Sequence, residues 1–331
     1  MKVPEVPAPR RRVGVALGGG GARGYAHIGV IDVLTEHGFD VAAVAGSSMG
    51  ALVGGLYAAE QLETFTGWVR GIGQREIMRL LDPLVHEPGA IGAEKVMARV
   101  GELIGDARIE DLPIPFTAVS TDLLARRPFW FQRGPLLTAI RASIALPPAI
   151  TPVVVQGRLL NDGGLMDPVP IGPIASAQVD TIIAVSMYGP RQDGSHATAR
   201  EPFGVRTLPR PSALRPFGRS AHTSEAAGTA STGDDVSEGF TTVATREDLS
   251  DLGWQSEGLP PGLRKIDVVN LSMEAVAALL TRYQMAGFQP DLLIEVPVDA
   301  CGTLEFHRGE EMIELGRSRA EQALARSGLG S

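Results

Sequence analysis

VGVALGGGGARGYAHIGVIDVLTEHGFDVAAVAGSSMGALVGG, residues Val13–Gly55, is the stretch whose reading decides the fold. It reads as strand, glycine loop, helix, strand, sharp turn, helix. The apolar run Val13–Leu17 breaks into four glycines, and a helical segment, Ala22–His37, follows with Gly38 as its C-cap. Val41–Ala45 is again continuously apolar, as a strand buried on both faces of a parallel sheet should be. In such a sheet, loops at the carboxyl ends of neighbouring strands open onto one crevice. The first loop, Gly18–Gly24, offers backbone N–H groups that no side chain obstructs. The second, Gly46-Ser47-Ser48-Met49-Gly50, matches G-x-S-x-G, an elbow that lifts a serine hydroxyl clear of the backbone. Donors beside a nucleophile are what acyl transfer needs.

Working outward, residues 1–12 carry three prolines and a triple arginine and read as a flexible tail. Met49–Ala59 is a helix of small residues that can pack under the elbow. Thr64–Leu81 and Gly92–Leu103 read as helices, with a turn at Asp82–Gly89 between them. Phe116–Ser120 is a strand leading to Asp122, and Phe129–Phe131 a short aromatic one. Leu136–Ser143 is a helix that stops before Pro147-Pro148. Val153–Leu160 reads as a hairpin turning at Gln156-Gly157, which delivers Asn161-Asp162-Gly163-Gly164 to a tight turn, and Thr181–Ser186 is a central strand.

Residues 189–262 differ in kind. They are rich in Pro, Ser, Thr, Gly and Arg, basic in their first half and acidic in their second, and too polar to offset the entropy of ordering. They are expected to be a disordered insertion, with a short helix around Asp248–Trp254. In residues 263–331 a helix (Val268–Ala286), a strand (Asp291–Val296) and a helix (Glu310–Ala325) are expected to complete the sheet begun in residues 13–188. About sixty residues is little for a separate core.

The composition narrows the function. A net charge of −8 argues against a nucleic-acid binder, and the one cysteine, Cys301, permits no internal disulfide. The basic N-terminus has no apolar segment of signal-peptide type behind it, and no run reaches the length of a membrane span. The expectation is a cytoplasmic protein, peripheral to a membrane at most.

Ser48 is the nucleophile the motif selects; Ser47 is a competing hydroxyl in the motif's variable position. Gly19–Gly24 also satisfies the dinucleotide fingerprint G-x-G-x-x-G, but that reading needs an acid at the end of the second strand. Here that strand ends in Ala45-Gly46-Ser47 and the acid, Asp40, lies at its other end. Six histidines are available as bases, and none sits beside an acid at a strand end; His27, near the glycine loop, reads as a packing or capping residue. Asp162 has two readings: a turn aspartate that bonds its own backbone, or a base toward Ser48 whose pKa burial has raised.

Three blocks, LGGGGARGYAHIGVIDVL (Leu17–Leu34), GSSMGALVGGLYA (Gly46–Ala58) and NDGGLMDPVP (Asn161–Pro170), together resemble the patatin-like phospholipases, specifically the bacterial branch similar to the catalytic domain of neuropathy target esterase. The resemblance extends over Arg12–Tyr188, through STDL (Ser120–Leu123) and RASIALPPAITPV (Arg141–Val153), and again over Asp291–Gln322. It implies a three-layer α/β/α fold with a mainly parallel central sheet, and a serine acyl hydrolase acting on carboxylic esters of lipids without metal or organic cofactor. By the same resemblance Ser48 is the nucleophile and Asp162 the base of a Ser-Asp dyad. Gly19, Gly20 and Gly21 form the oxyanion hole, and Arg23 orients their loop or meets a lipid headgroup. Ala145 and Ile150 stand where relatives often have Ser and Phe, a departure that bears on the acyl pocket. The rival from another class is a regulatory or scaffold protein of the same fold, with residues 189–262 as its interaction arm.

Overall fold

The computed structural model describes residues 11–71, 94–146, 150–192 and 265–329. Contacts group residues 1–196 and 269–331 into one unit, and that unit holds every described strand. The second unit, residues 197–268, is described only from Lys265 onward. The expected insertion therefore lies outside the described residues, apart from its first four, as do residues 1–10 of the expected 1–12 tail, the second half of the Thr64–Leu81 helix, the Asp82–Gly89 turn and the helix around Asp248–Trp254. Arg12, placed in the tail by the sequence, opens the first strand instead.

Five strands are parallel: β1 (Arg12–Leu17), β2 (Asp40–Ser47), β3 (Phe116–Asp122), β7 (Thr181–Gly189) and β8 (Leu292–Pro297), in the order β3-β2-β1-β7-β8. An antiparallel margin follows, in which β6 (Arg158–Asp162) pairs with β3 and with β5 (Val153–Val155), while β4 (Arg127–Phe131) also pairs with β3. β3 is buried at every residue, because the sheet is covered on both faces where it is parallel. The β5–β6 hairpin turns at Gln156 (φ 50°) and Gly157 (φ 75°), the paired positive φ values that match a turn to strand twist.

The helices are α1 (Ala26–Glu36), α2 (Met49–Ala58), α3 (Leu62–Gly71), α4 (Glu94–Ile104), α5 (Leu136–Ser143), α6 (Lys265–Gly287) and α7 (Gly309–Ser327). α1 starts later than its sequence suggests, because Gly21–Tyr25 form a tight 3-10 turn first. α7 lies along α1 at a backbone contact that only small residues allow. A Cβ on Gly29 would lie 2.0 Å from the Ile313 carbonyl oxygen, and one on Gly316 2.0 Å from that of Ala26. The larger core joins the β1–β3 strands to α1, α2, α5 and α7; a smaller cluster (Ala16, Ala45, Val169, Ile171, Ile174 and Ala184) fills the other face. Among the described residues no helix is long and apolar enough to cross a membrane.

The chain leaves β1 for β2 on one side and returns through β7 on the other, so the carboxyl end of β1 is a topological switch point. The glycine loop leaves β1 there, and the Ser48 elbow leaves β2 next to it.

Candidate active site

The elbow is set by steric necessity. Ser48 has φ 55° and ψ −124°, a conformation that costs a non-glycine residue on the order of 1–3 kcal/mol. The turn is possible because its flanks lack side chains: a Cβ on Gly46 would lie 2.2 Å from the Gly50 oxygen, and one on Gly50 2.0 Å from the Leu17 oxygen. Ser48 is thereby held at the N-cap of α2, where the helix dipole favours negative charge. Its N–H donates to Ser143 Oγ (2.9 Å), which itself donates to the Val119 carbonyl (2.5 Å). Ser47, the competing hydroxyl, is spent: its Oγ donates to the Asp167 carbonyl (2.6 Å) in full burial.

Asp162 ends β6, opposite Ser120 of β3. Its N–H donates to the Ala145 carbonyl (2.8 Å) and its carbonyl accepts from Thr121 Oγ (2.8 Å). Its carboxylate accepts from Ser48 Oγ at 2.6 Å on Oδ2 and from the Gly164 N–H at 2.8 Å on Oδ1. The two readings of Asp162 are therefore compatible: one oxygen caps its own turn and the other faces the serine. Burial pushes its pKa up to about 6 against the opposing pull of these two hydrogen bonds.

In the glycine loop, Gly18 N–H donates to the Val185 carbonyl, Gly19 N–H to that of Pro168 and Ala22 N–H to that of Thr303, each at 2.9 Å. Gly20 and Gly21 N–H have no partner among the described residues. The expectation for Gly19 needs correcting. Its donor ties the loop to the strand-following segment of β6 and cannot also face a reacting oxygen. What Gly19 contributes is closeness, since a Cβ there would lie 3.3 Å from that of Ser48. Gly21 has φ +57°, and a Cβ on it would lie 2.3 Å from the Thr303 oxygen.

Arg23 is only 2% exposed, and each of its three guanidinium nitrogens donates a hydrogen bond. It donates through Nε to the Gly20 carbonyl (3.3 Å), through Nη1 to the Val298 carbonyl and through Nη2 to Glu274 of α6 (2.7 Å). These bonds tie the guanidinium to the glycine loop, to the segment after β8 and to α6. His27 lies beneath the same loop, fully buried, with Nε2–H donating to the Gly18 carbonyl at 2.7 Å. Burial lowers its pKa to about 4, so it is neutral near pH 7. Of the other histidines, His37 meets Glu321, His307 lies in a 3-10 turn before α7, and His86, His196 and His222 lie outside the described residues.

A cavity of about 60 Å³ joins these groups; Gly19–Gly21, Arg23, Ser48, Asp162 and Tyr188 line it from the sheet side, Leu146 and Leu165 from the loops, and Met273, Glu274 and Ala277 from α6. Neither Ala145 nor Ile150 lines it: Ala145 supports Asp162 through its carbonyl, and Ile150 packs against the larger core. Ser143, Thr121 and Glu274 were not singled out by the sequence. Ser143 and Thr121 do lie in segments that carried the resemblance, whereas no local signal marks Glu274.

A family model described as patatin-like phospholipase matches residues 15–175. The chain is similar to an uncharacterized NTE family protein of Mycobacterium tuberculosis, with 45% identity over 95% of this chain and 91% of the relative. It is also similar to lysophospholipase NTE1 of Mycosarcoma maydis, with 36% identity over 53% of the chain, and to lysophospholipase nte1 of Aspergillus fumigatus, with 26% over 95%. It spans 10% and 18% of those two longer proteins.

Proposed function

Because the chain belongs to the NTE family of patatin-like phospholipases, we propose that it is a serine acyl hydrolase that cleaves carboxylic esters of lipids with Ser48 as nucleophile and Asp162 as its base. The observation that carries this reading is the 2.6 Å hydrogen bond from Ser48 Oγ to the buried Asp162 carboxylate. In the reaction, Asp162 takes the hydroxyl proton as Ser48 Oγ attacks the ester carbonyl. The Gly20 and Gly21 N–H groups meet the oxyanion, aided by the N-terminus of α2. Asp162 then returns its proton to the leaving alcohol, and a water activated by Asp162 releases the acid from the acyl-enzyme. The fungal relatives' name makes singly acylated phospholipids the first substrates to try. A hydrolysis screen over lysophospholipids, diacyl phospholipids and neutral acyl esters, with Ser48→Ala as control, tests the reading. Release of acid from none of these classes would refute it.

The base must be ionised to act. With its pKa near 6, Asp162 is protonated below that pH and loses its function there, so kcat/KM is expected to rise about tenfold per unit up to pH 6 and then level. Asp167 also has a pKa raised to about 6 by burial, but it faces Gln284 rather than Ser48. Asp167→Asn is therefore expected to leave the acid limb in place. A limb that vanishes in that variant would reassign the titration.

Gly20→Ala is expected to lower kcat by roughly 10²–10³, the cost of one misplaced oxyanion donor. The added Cβ would lie 2.5 Å from Met187 Cβ, so the loop has to move and carry its N–H with it. Unchanged kcat in the folded variant would place the donors elsewhere.

A further inference from the structure

α6 closes the site. Met273, Glu274 and Ala277 on its inward face line the cavity above Ser48, and the space left is about 60 Å³. Pockets that enclose a drug-sized ligand hold roughly 300–1,000 Å³, so the space beneath α6 is small for an acyl chain. Two side chains of α6 make polar contacts with the site and its surroundings. Glu274 Oε1 accepts from Arg23 Nη2 at 2.7 Å and from Thr303 Oγ1 at 3.1 Å, and Gln284 Nε2 donates to the Met166 carbonyl and to Asp167.

The outward face of the same helix carries an apolar stripe. Val269, Val276, Leu279 and Tyr283 are 47%, 54%, 51% and 71% exposed, and their spacing sets them along one stripe. Arg282 and Glu274 are the charged residues among the described side chains of α6, and Glu274 is turned inward. An exposed apolar stripe on a helix is suited to an apolar environment on its outer side.

We propose that α6 is a lid, latched by the Arg23–Glu274 pair, and that its outward stripe docks on a lipid–water surface, which lifts it from Ser48. The inference rests on the lipid-ester reading above. A lipid surface is the occupant that accounts for both faces, because it receives the outer stripe and delivers the substrate for which the inner face must make room. A protein partner or a second copy of the chain would cover the stripe with the lid still down. Arg23 keeps its bonds to the Gly20 and Val298 carbonyls when Glu274 leaves, so the donor loop holds its shape during opening.

The test uses the full chain and two variants: Val276→Gln/Leu279→Gln/Tyr283→Gln, which makes the stripe polar with a good helix former, and Glu274→Gln, which keeps the shape of the latch but removes its charge. The rate is measured on a p-nitrophenyl ester of short chain below and above its solubility limit. Association with dioleoyl phosphatidylcholine vesicles is measured by flotation of the Ser48→Ala form, with and without the stripe substitutions. The wild-type rate is expected to rise at least tenfold beyond saturation once the ester aggregates. The stripe variant should lose that rise and the flotation while keeping its rate on dissolved ester within about twofold. Glu274→Gln should turn over dissolved ester several-fold faster than wild type. If ester is hydrolysed through Ser48 with no step at the solubility limit, or if the stripe variant keeps both the step and the flotation, the lid proposal is overturned and the ester reading stands. Hydrolysis in neither state overturns both. A wild-type dimer that the stripe substitutions convert to a monomer, by light scattering, would make a second copy the occupant and also overturn the proposal.

Discussion

Ser48→Ala is expected to lower ester hydrolysis by roughly 10⁴–10⁶, the scale on which loss of an attacking serine is felt in hydrolases that act through one. Little else changes, because the Ser48 side chain is involved in one hydrogen bond, to Asp162, and its backbone N–H bond to Ser143 survives the substitution. The strained φ of 55° stays with alanine, so the elbow is no better relieved than before. The variant should therefore fold as the wild type does, and circular dichroism together with the melting temperature checks this. A folded Ser48→Ala enzyme with more than about a hundredth of wild-type activity would mean that Ser48 is not the group attacked.

Asp162→Asn is expected to cost roughly 10³–10⁴ or more, because it removes the base while keeping the size of the side chain. The amide oxygen can still accept from either Ser48 or Gly164, but it cannot take a proton. The control is His27→Asn, because His27 is the one described histidine that touches the glycine loop. Its Nε2–H holds the Gly18 carbonyl and its burial keeps it neutral, a role in positioning the loop rather than in moving protons. His27→Asn should keep activity within about tenfold in the folded fraction. An active Asp162→Asn beside a folded but inactive His27→Asn would transfer the role of base to His27.

The parts of this site that could be read from the sequence are those whose causes are local. The elbow is written in Gly46 and Gly50: a side chain on Gly46 would meet Gly50 in the same turn, and one on Gly50 would meet Leu17 at the end of the neighbouring strand, both within Val13–Gly55. β1 and β2 were legible from their continuous apolar runs, and the β5–β6 hairpin from Gln156-Gly157. What the sequence could not convey depends on distant partners. Gly19, Gly20 and Gly21 look alike in a run of four glycines, and only the Pro168 carbonyl, placed against Gly19 by the fold, separates a committed donor from two with no partner among the described residues. The same holds for Arg23. Its motif says that a cation belongs beside the loop, but its burial and its pairing with Glu274, 251 positions away, come from tertiary packing. The α6 helix was legible over Val268–Ala286, yet the face it turns to Ser48 and the apolar stripe it leaves outward follow from where the chain returns to the sheet.

The most direct measurement of the central claim is covalent labelling by a serine-directed fluorophosphonate, followed by peptide mass spectrometry. The chemistry of the pair predicts one adduct, on the peptide containing Ser47 and Ser48, with fragmentation assigning it to Ser48. It also predicts labelling that slows below pH 6 and nearly stops in Asp162→Asn. An enzyme that hydrolyses lipid esters while its adduct forms at another residue, or whose Ser48 labels as fast in Asp162→Asn as in the wild type, would contradict the assignment of this dyad.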